Sequence, residues 1–70
     1  MDAGKELRRI RKEKGLSIQI LADLAGISYV NLSSIERGKQ NPRPETIKKL
    51  ADALSCDYNQ LYDLFKNKQN

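Results

Sequence analysis

The chain has 70 residues, 39% of them apolar, so it can form one small packed domain and is too apolar for a disordered tail. One cysteine and no histidine exclude an intrachain disulfide and remove the usual ligands of a zinc site; no metal and no cofactor is predicted. The formal net charge of +4 indicates either a polyanionic partner or an ordinary solvated basic surface.

Signals for export or membrane insertion are not found in the sequence. The stretch MDAGKELRRIRK has no apolar signal region, and no run reaches the roughly 18 apolar residues that span a membrane. The single cysteine, Cys56, is expected to be reduced, as cysteines are in the cytosol. We therefore expect a cytoplasmic protein without a membrane partner.

The charges are unevenly distributed along the chain. Residues 5–14 carry six cations and two anions, and residues 37–49 carry five cations and one anion, whereas residues 16–36 hold only Asp23 and Glu36. Two basic blocks thus flank a nearly neutral segment. Nucleic-acid phosphates are a natural partner for such blocks.

Five short helices and no strands are predicted, because apolar residues do not alternate along any stretch. The first helix extends from about residue 4 to residue 14 and ends at Gly15. The second is capped by Ser17 and ends at Gly26. The third is capped by Ser28 and ends near Arg37. The predicted fold class is therefore all-α.

The C-terminal part of the chain has the clearest amphipathic pattern. Pro44 suits the first position of a fourth helix, in which apolar residues recur at i, i+3, i+4 and i+7 from Ile47. Asp57 can cap a fifth helix. We expect one domain over residues 1–66 and a frayed tail over residues 67–70.

The second and third helices, at about residues 17–37, form a predicted helix-turn-helix. Ala22 and Ala25 are small enough for the two helices to cross closely. Gly26 can adopt the positive φ of a tight turn, and Ile27 can fill the corner. Such a unit projects its last helix outward, where it fits the major groove of DNA.

The third helix has an apolar inner side and an uncharged outer side on a helical wheel. Its inner side holds Leu32, Ile35 and Glu36. Short hydrogen-bonding side chains and methyl groups on the outer side suit base edges, although an ordinary polar helix face would have the same pattern. The outer side and its flanks carry Tyr29, Val30, Asn31, Ser33, Ser34 and Arg37.

The ordered set of motifs resembles the Cro/cI-like helix-turn-helix family of phage and bacterial repressors, also called the xenobiotic-response-element type. The matching pattern is GLSIQILADLAGIS…LSSIERGKQNP, within a resemblance that covers about residues 4–64. The resemblance implies a compact five-helix, lambda-repressor-like domain. It also implies binding to double-stranded operator DNA as a homodimer and regulation of transcription, expected here to be repression.

The same resemblance implies roles for individual residues. Its base-reading positions fall on Tyr29, Val30 and Ser34. From the family position of Ile18 and from the helical wheel of the third helix, we also expect Ile18, Asn31, Ser33 and Arg37 to lie next to the DNA. Positions that bind phosphates are Ser17, Ser28, Lys39, Asn41 and Arg43.

The sequence departs from the family pattern at the start of the second helix. Ile18 stands where the family usually has a glutamine that bonds a phosphate, and Ile20 stands where it has a capping glutamate. We expect Ile18 to pack on Tyr29 instead. Ile20 and Leu24 form an apolar strip that is either a rim of the core or a surface for a protein partner.

Two further contacts are predicted. Arg11 and Glu36 lie on the inner sides of the first and third helices, and a charge there needs a partner, so we expect an ion pair. Tyr58, Tyr62 and Phe65 are candidates for a homodimer surface on the fifth helix, while Leu61 faces the core. The alternative is that all of these residues complete the monomer core.

An enzyme is not predicted, because the chain has no histidine, no nucleophile–base pair and no glycine-rich phosphate loop. The rival interpretation is a protein-interaction module that uses the same fold without specific DNA contacts.

Overall fold

The computed structural model describes residues 2–68, with side chains described for residues 2–66. Over that range the chain forms five helices and no strand, which confirms the predicted fold class. Helix α1 packs against α3 and α5, α2 packs against α3 and α4, and α4 packs against α5. The helices are α1 (Ala3–Glu13), α2 (Ile18–Ala25), α3 (Tyr29–Glu36), α4 (Pro44–Leu54) and α5 (Tyr58–Lys68).

The helix boundaries follow local capping chemistry. Ser17 and Ser28 cap α2 and α3 as predicted, since each hydroxyl accepts a hydrogen bond from the amide three residues later. Pro44 is the first residue of α4. Helix α1 begins one residue before the predicted start, because the Asp2 carboxylate caps it by accepting from the Gly4 amide at 2.9 Å.

Helix α5 reaches Lys68, so the tail predicted to be frayed over residues 67–70 is helical over its first two residues. The last two residues of that tail lie outside the described part of the chain.

One apolar core joins all five helices. Leu7, Leu21 and Leu32 are completely buried in it. Phe65 is only 2% exposed, so the prediction that its side chain faces a partner is wrong for this fold. Leu61 and Phe65 are four residues apart and share one face of α5, and both point into the monomer.

Helix α1 approaches the end of α3 very closely at Gly4. A Cβ atom built at this position would lie 2.5 Å from the Glu36 carbonyl oxygen and 2.6 Å from that of Ile35. No side chain larger than hydrogen fits between these backbones without movement. Gly4 therefore sets the spacing between α1 and α3.

No single helix in the described range is long and apolar enough to cross a membrane. Helices α2 and α3 meet that criterion only when counted together, and they are bent by 115° relative to each other.

Candidate nucleic-acid interface

The turn between α2 and α3 has helix-turn-helix geometry. The two helix directions differ by 115°, and only residues 26–28 connect them. Gly26 has φ 73°, a left-handed conformation that suits glycine, and the Ile27 amide donates to the Ala22 carbonyl at 3.0 Å. Ile27 is half-buried and packs against the core, as predicted for a residue in this corner.

The outer face of α3 carries no charge until its C-terminal end. Tyr29 is 47% exposed and Val30 is 72% exposed, although both are large apolar residues. Ser34, one turn beyond Val30, is half-buried. This face presents a phenol hydroxyl, two methyl groups and a serine hydroxyl, which are groups that can contact base edges in a major groove.

The four side chains predicted beside the DNA do not share one environment. Arg37 is exposed, whereas Ile18 and Ser33 are half-buried and line one pocket with it. The Asn31 Oδ1 atom is buried, without a hydrogen-bond partner among the described residues. It lies beside the α3–α4 loop rather than on the outer flank that the helical wheel suggested.

The predicted phosphate-binding residues are exposed at two kinds of position. Ser17 and Ser28 cap the N-termini of α2 and α3, and their hydroxyl oxygens accept from the Ile20 and Asn31 amides at 3.1 and 3.0 Å. Each hydroxyl proton is still free to donate to an anion. The first amides of both helices also lack intrahelical partners, so these helix starts favour a phosphate.

Lys39, Asn41 and Arg43 lie on the exposed loop that follows α3. Pro42 is buried between them and anchors the loop on the domain. Neither Lys39 nor Arg43 forms an ion pair with a residue in the described range. Both cations are therefore available to a polyanion at the edge of the neutral face.

The predicted Arg11–Glu36 ion pair is present and buried. Arg11 Nε donates to Glu36 Oε2 at 2.7 Å and Arg11 Nη2 donates to Glu36 Oε1 at 3.1 Å, which makes the contact bidentate. A third bond joins Arg11 Nη1 to the Leu16 carbonyl at 2.8 Å. The pair ties α1 to the last residue of α3.

The side of α1 that faces α5 carries surface ion pairs within the helix. Arg9 bridges Glu6 and Glu13, with a distance of 2.5 Å from Arg9 Nη1 to Glu13 Oε2. The hydrogen bond and the charge of Arg9 hold the pKa of Glu6 below its usual value. These residues line the groove between α1 and α5. In the same groove, burial raises the pKa of the Cys56 thiol.

Two of the three residues predicted for the homodimer surface remain candidates for it on α5. Tyr58 and Tyr62 are half-buried, and their rings stack with centroids 5.8 Å apart and planes 24° apart. Phe65 belongs to the core, as described above. The candidate dimer surface is therefore reduced to the tyrosine pair.

Sequence reasoning did not single out Arg8 or Gly4. Arg8 appeared only as one charge in the first basic block, yet it lies in a pocket with the C-terminal half of α3. Gly4 appeared only as a helix start, although its missing side chain permits the α1–α3 contact. The spacing of Arg8, three residues before the predicted ion-pairing Arg11, was the one signal that could have drawn attention to it.

A helix-turn-helix family model matches residues 7–61 of the chain. Among curated proteins, the chain is 46% identical over 56 residues to the HTH-type transcriptional repressor RghR of Bacillus subtilis, covering 79% of this chain and 42% of that one. It is 37% identical over 70 residues to the competence pilus inhibition repressor of Acinetobacter baylyi, covering 100% of this chain and 64% of that one.

Two solved structures are similar at high coverage. The restriction-modification controller protein C.AhdI from Aeromonas hydrophila superposes with a TM-score of 0.82 at 38% identity, covering 86% of this chain and 91% of that one. SinR, described as a master regulator for biofilm formation and crystallised in complex with DNA, superposes with a TM-score of 0.80 at 38% identity, covering 86% and 97%.

The chain spans 42% and 64% of the length of the two curated relatives, so the similarity concerns only part of each. Both solved structures, by contrast, are covered almost completely.

Proposed function

We propose that this chain, which belongs to the helix-turn-helix family, binds double-stranded DNA and regulates transcription, with α3 in the major groove. One observation carries the proposal: Tyr29 and Val30 form an uncharged, exposed face on α3, a helix that begins with amides lacking intrahelical partners and is followed by a loop with exposed cations. Base contacts need the first kind of surface and phosphate contacts need the second. The names of the relatives favour repression.

The assignment of individual residues is part of this proposal. Tyr29, Val30 and Ser34 read bases, while Lys39 and Arg43 bind phosphates by charge. Ser17, Ser28 and Asn41 bind phosphates by hydrogen bonds. A protein that binds chromosomal DNA in this way works in the cytoplasm of a bacterium, and no catalytic activity is part of the proposal.

Salt dependence tests the DNA-binding function. A duplex selected from a random-sequence library by the protein should bind with an affinity that falls steeply between about 50 and 200 mM salt. Lys39→Gln and Arg43→Gln should each lower the slope of log affinity against log salt by about one. Arg9→Gln removes the same charge from the α1–α5 side and should leave the slope unchanged.

An affinity that does not respond to salt would overturn the proposal. So would equal binding to the selected duplex and to random competitor DNA, because the α3 face would then read no bases.

We also propose that the protein binds DNA as a homodimer through the start of α5. The supporting observation is the stacked pair of Tyr58 and Tyr62, which remains partly exposed after Phe65 is placed in the core. Two-fold symmetry would match half-sites about 10 bp apart. Sedimentation that finds one protein chain per selected duplex at saturation would exclude the dimer.

A second candidate function, protein binding on the same fold, is favoured by the exposure of Ile20 (48%) and Leu24 (60%) on the outer side of α2. They are four positions apart on α2, so they form a continuous apolar strip. Ile20→Gln with Leu24→Gln should leave DNA affinity unchanged if the strip serves a protein partner. Loss of DNA affinity in a folded variant would assign the strip to the DNA interface.

A further inference from the structure

A pocket of about 280 Å³ lies between α1, the start of α2 and the C-terminal half of α3. Tyr29, Val30 and the loop residues Lys39, Asn41 and Arg43 do not line it. Its lining residues are Arg8, Arg11, Ile18, Ser33, Glu36 and Arg37.

The pocket has an excess of positive charge. Both carboxylate oxygens of Glu36 are bonded by Arg11, so this pair contributes no net charge. Arg8 and Arg37 are exposed, and neither forms an ion pair with any residue that the structure describes. Two guanidinium groups without partners therefore remain at the pocket, and they favour an anion.

Arg11, one of the lining residues, is held in a fixed position. The Arg11 side chain is only 9% exposed and is held by three hydrogen bonds, one from each of its nitrogens. A guanidinium has five N–H groups, so two remain for an additional acceptor. Ile18 opens α2, and the first amides of that helix add donors near the same place.

We propose that Arg8, which lies outside the helix-turn-helix, binds a backbone phosphate of duplex DNA at this pocket together with Arg37. The inference rests on the proposed DNA-binding function and adds α1 to its interface. The forked guanidinium matches two phosphate oxygens, and Ser33 supplies a hydroxyl beside them. The phosphate contacts thus extend from the loop after α3 to α1.

The chemistry of the pocket favours a phosphate over other ligands. It has no free carboxylate among its lining residues, so a divalent cation would meet only positive charge. Ile18 is the only apolar residue among its lining residues, and the unpaired groups around it are the guanidinium groups of Arg8 and Arg37. A phosphate free in solution has the same chemistry as a phosphate of DNA, and the experiment must separate them.

The test combines Arg8→Gln with duplexes in which single phosphates are replaced by neutral methylphosphonates. The duplex is one selected from a random-sequence library by the unaltered protein. We expect one position in each half-site at which the neutral phosphate weakens binding of the unaltered protein several-fold and weakens binding of Arg8→Gln by a smaller factor, because Arg37 still contacts that phosphate. Arg8→Gln should also lower the log–log salt slope by about one.

Arg9→Gln is the matched control, because it removes an arginine from the next position of α1, on the α5 side. It should respond to every methylphosphonate as the unaltered protein does. Arg8→Lys, which keeps the charge and loses the fork, should restore the salt slope and only part of the affinity. Thermal melts confirm that each variant is folded.

Three results would overturn the inference. The first is that Arg8→Gln loses affinity equally at every neutral phosphate. The second is that Arg8→Gln and Arg9→Gln change the salt slope by the same amount, because the change would then come from the lower net charge of the protein and not from a contact of Arg8. The third is that millimolar inorganic phosphate occupies the pocket by NMR while the duplex does not need Arg8. Failure of the unaltered protein to bind any duplex would instead refute the proposed function itself.

Discussion

Removing Glu36 should destabilise the domain severely, because it would leave Arg11 charged and buried without its partner. The two side chains are only 9% and 5% exposed, and two hydrogen bonds of 2.7 and 3.1 Å join them. Breaking a well-buried pair from one side costs about 3–5 kcal/mol. We expect Glu36→Ala to lose an amount in this range.

This loss is large compared with the total stability of so small a domain. At roughly 0.05–0.15 kcal/mol per residue, 70 residues correspond to about 4–10 kcal/mol of unfolding free energy. A loss of 3 kcal/mol at about 4 °C per kcal/mol lowers Tm by about 12 °C or more. Urea denaturation followed by circular dichroism measures the change directly.

A double variant tests whether the loss comes from leaving one buried charge without its partner. Arg11→Met with Glu36→Leu removes both charges, so most of the penalty should disappear. It should still lose about 1 kcal/mol, since the Leu16 carbonyl loses its bond from Arg11.

Glu13→Ala is the exposed control, since Glu13 also pairs with an arginine but at the surface. Its loss should not exceed about 1 kcal/mol. A Glu36→Ala loss below about 0.5 kcal/mol, or a double variant as unstable as the single one, would refute the reasoning.

Four other predictions concern the contacts of α1 and α3. Gly4→Ala should destabilise the domain in denaturant by up to about 2 kcal/mol, because an overpacking cost of about 1–3 kcal/mol is offset by a gain of about 1 kcal/mol in helix propensity; an increase in stability would contradict the close contact. Tyr29→Phe should weaken binding to the selected duplex without a change in Tm, and unchanged affinity and sequence preference would make Tyr29 purely structural. Replacing a thymine against Val30 by uracil deletes one methyl group and should weaken the unaltered protein but not Val30→Ala. Arg9→Gln should return the pKa of Glu6 toward its usual value in an NMR titration; because that pKa is lowered in the folded state, the pair stabilises above the unfolded pKa and is lost as pH falls through the folded one.

The helix-turn-helix was predictable because each of its boundaries has a chemical signal in the sequence. Ser17 and Ser28 have hydroxyls that cap, and Gly26 supplies the left-handed turn that other residues avoid. The Arg11–Glu36 pair was predictable for a related reason. Each charge lies on an apolar helix face, and a buried charge needs a partner.

Long-range geometry was less predictable. A helical wheel gives the direction of a side chain about its own helix axis but not the position that it meets along a neighbouring helix. Ile18 does line a pocket with α3, but the residues on that side of the pocket are Ser33, Glu36 and Arg37, at the end of the helix. The predicted contact between Ile18 and Tyr29 at the start of α3 stays a prediction.

Gly4 shows why some packing cannot be predicted from residue type. A glycine near a helix start has several explanations, and only the measured approach of the α3 carbonyls identifies this one. Phe65 is the opposite case, because its spacing of four from Leu61 already indicated the core. The error came from treating the apolar surface of α5 as larger than one core could bury.

Helix α3 depends on α1 for its orientation, which links stability to DNA reading. An isolated helix of eight residues is unstable in water, and α3 has no charged pair along its own surface to support it. Its C-terminal end is held instead by Gly4 through backbone contact and by Arg11 through the ion pair. A change at Gly4 that leaves the domain folded should therefore tilt α3 and lower the affinity for the selected duplex while the salt slope stays constant, since no phosphate contact is removed. Loss of affinity with an altered slope would mean that α1 acts on the DNA backbone and not on the orientation of the reading helix.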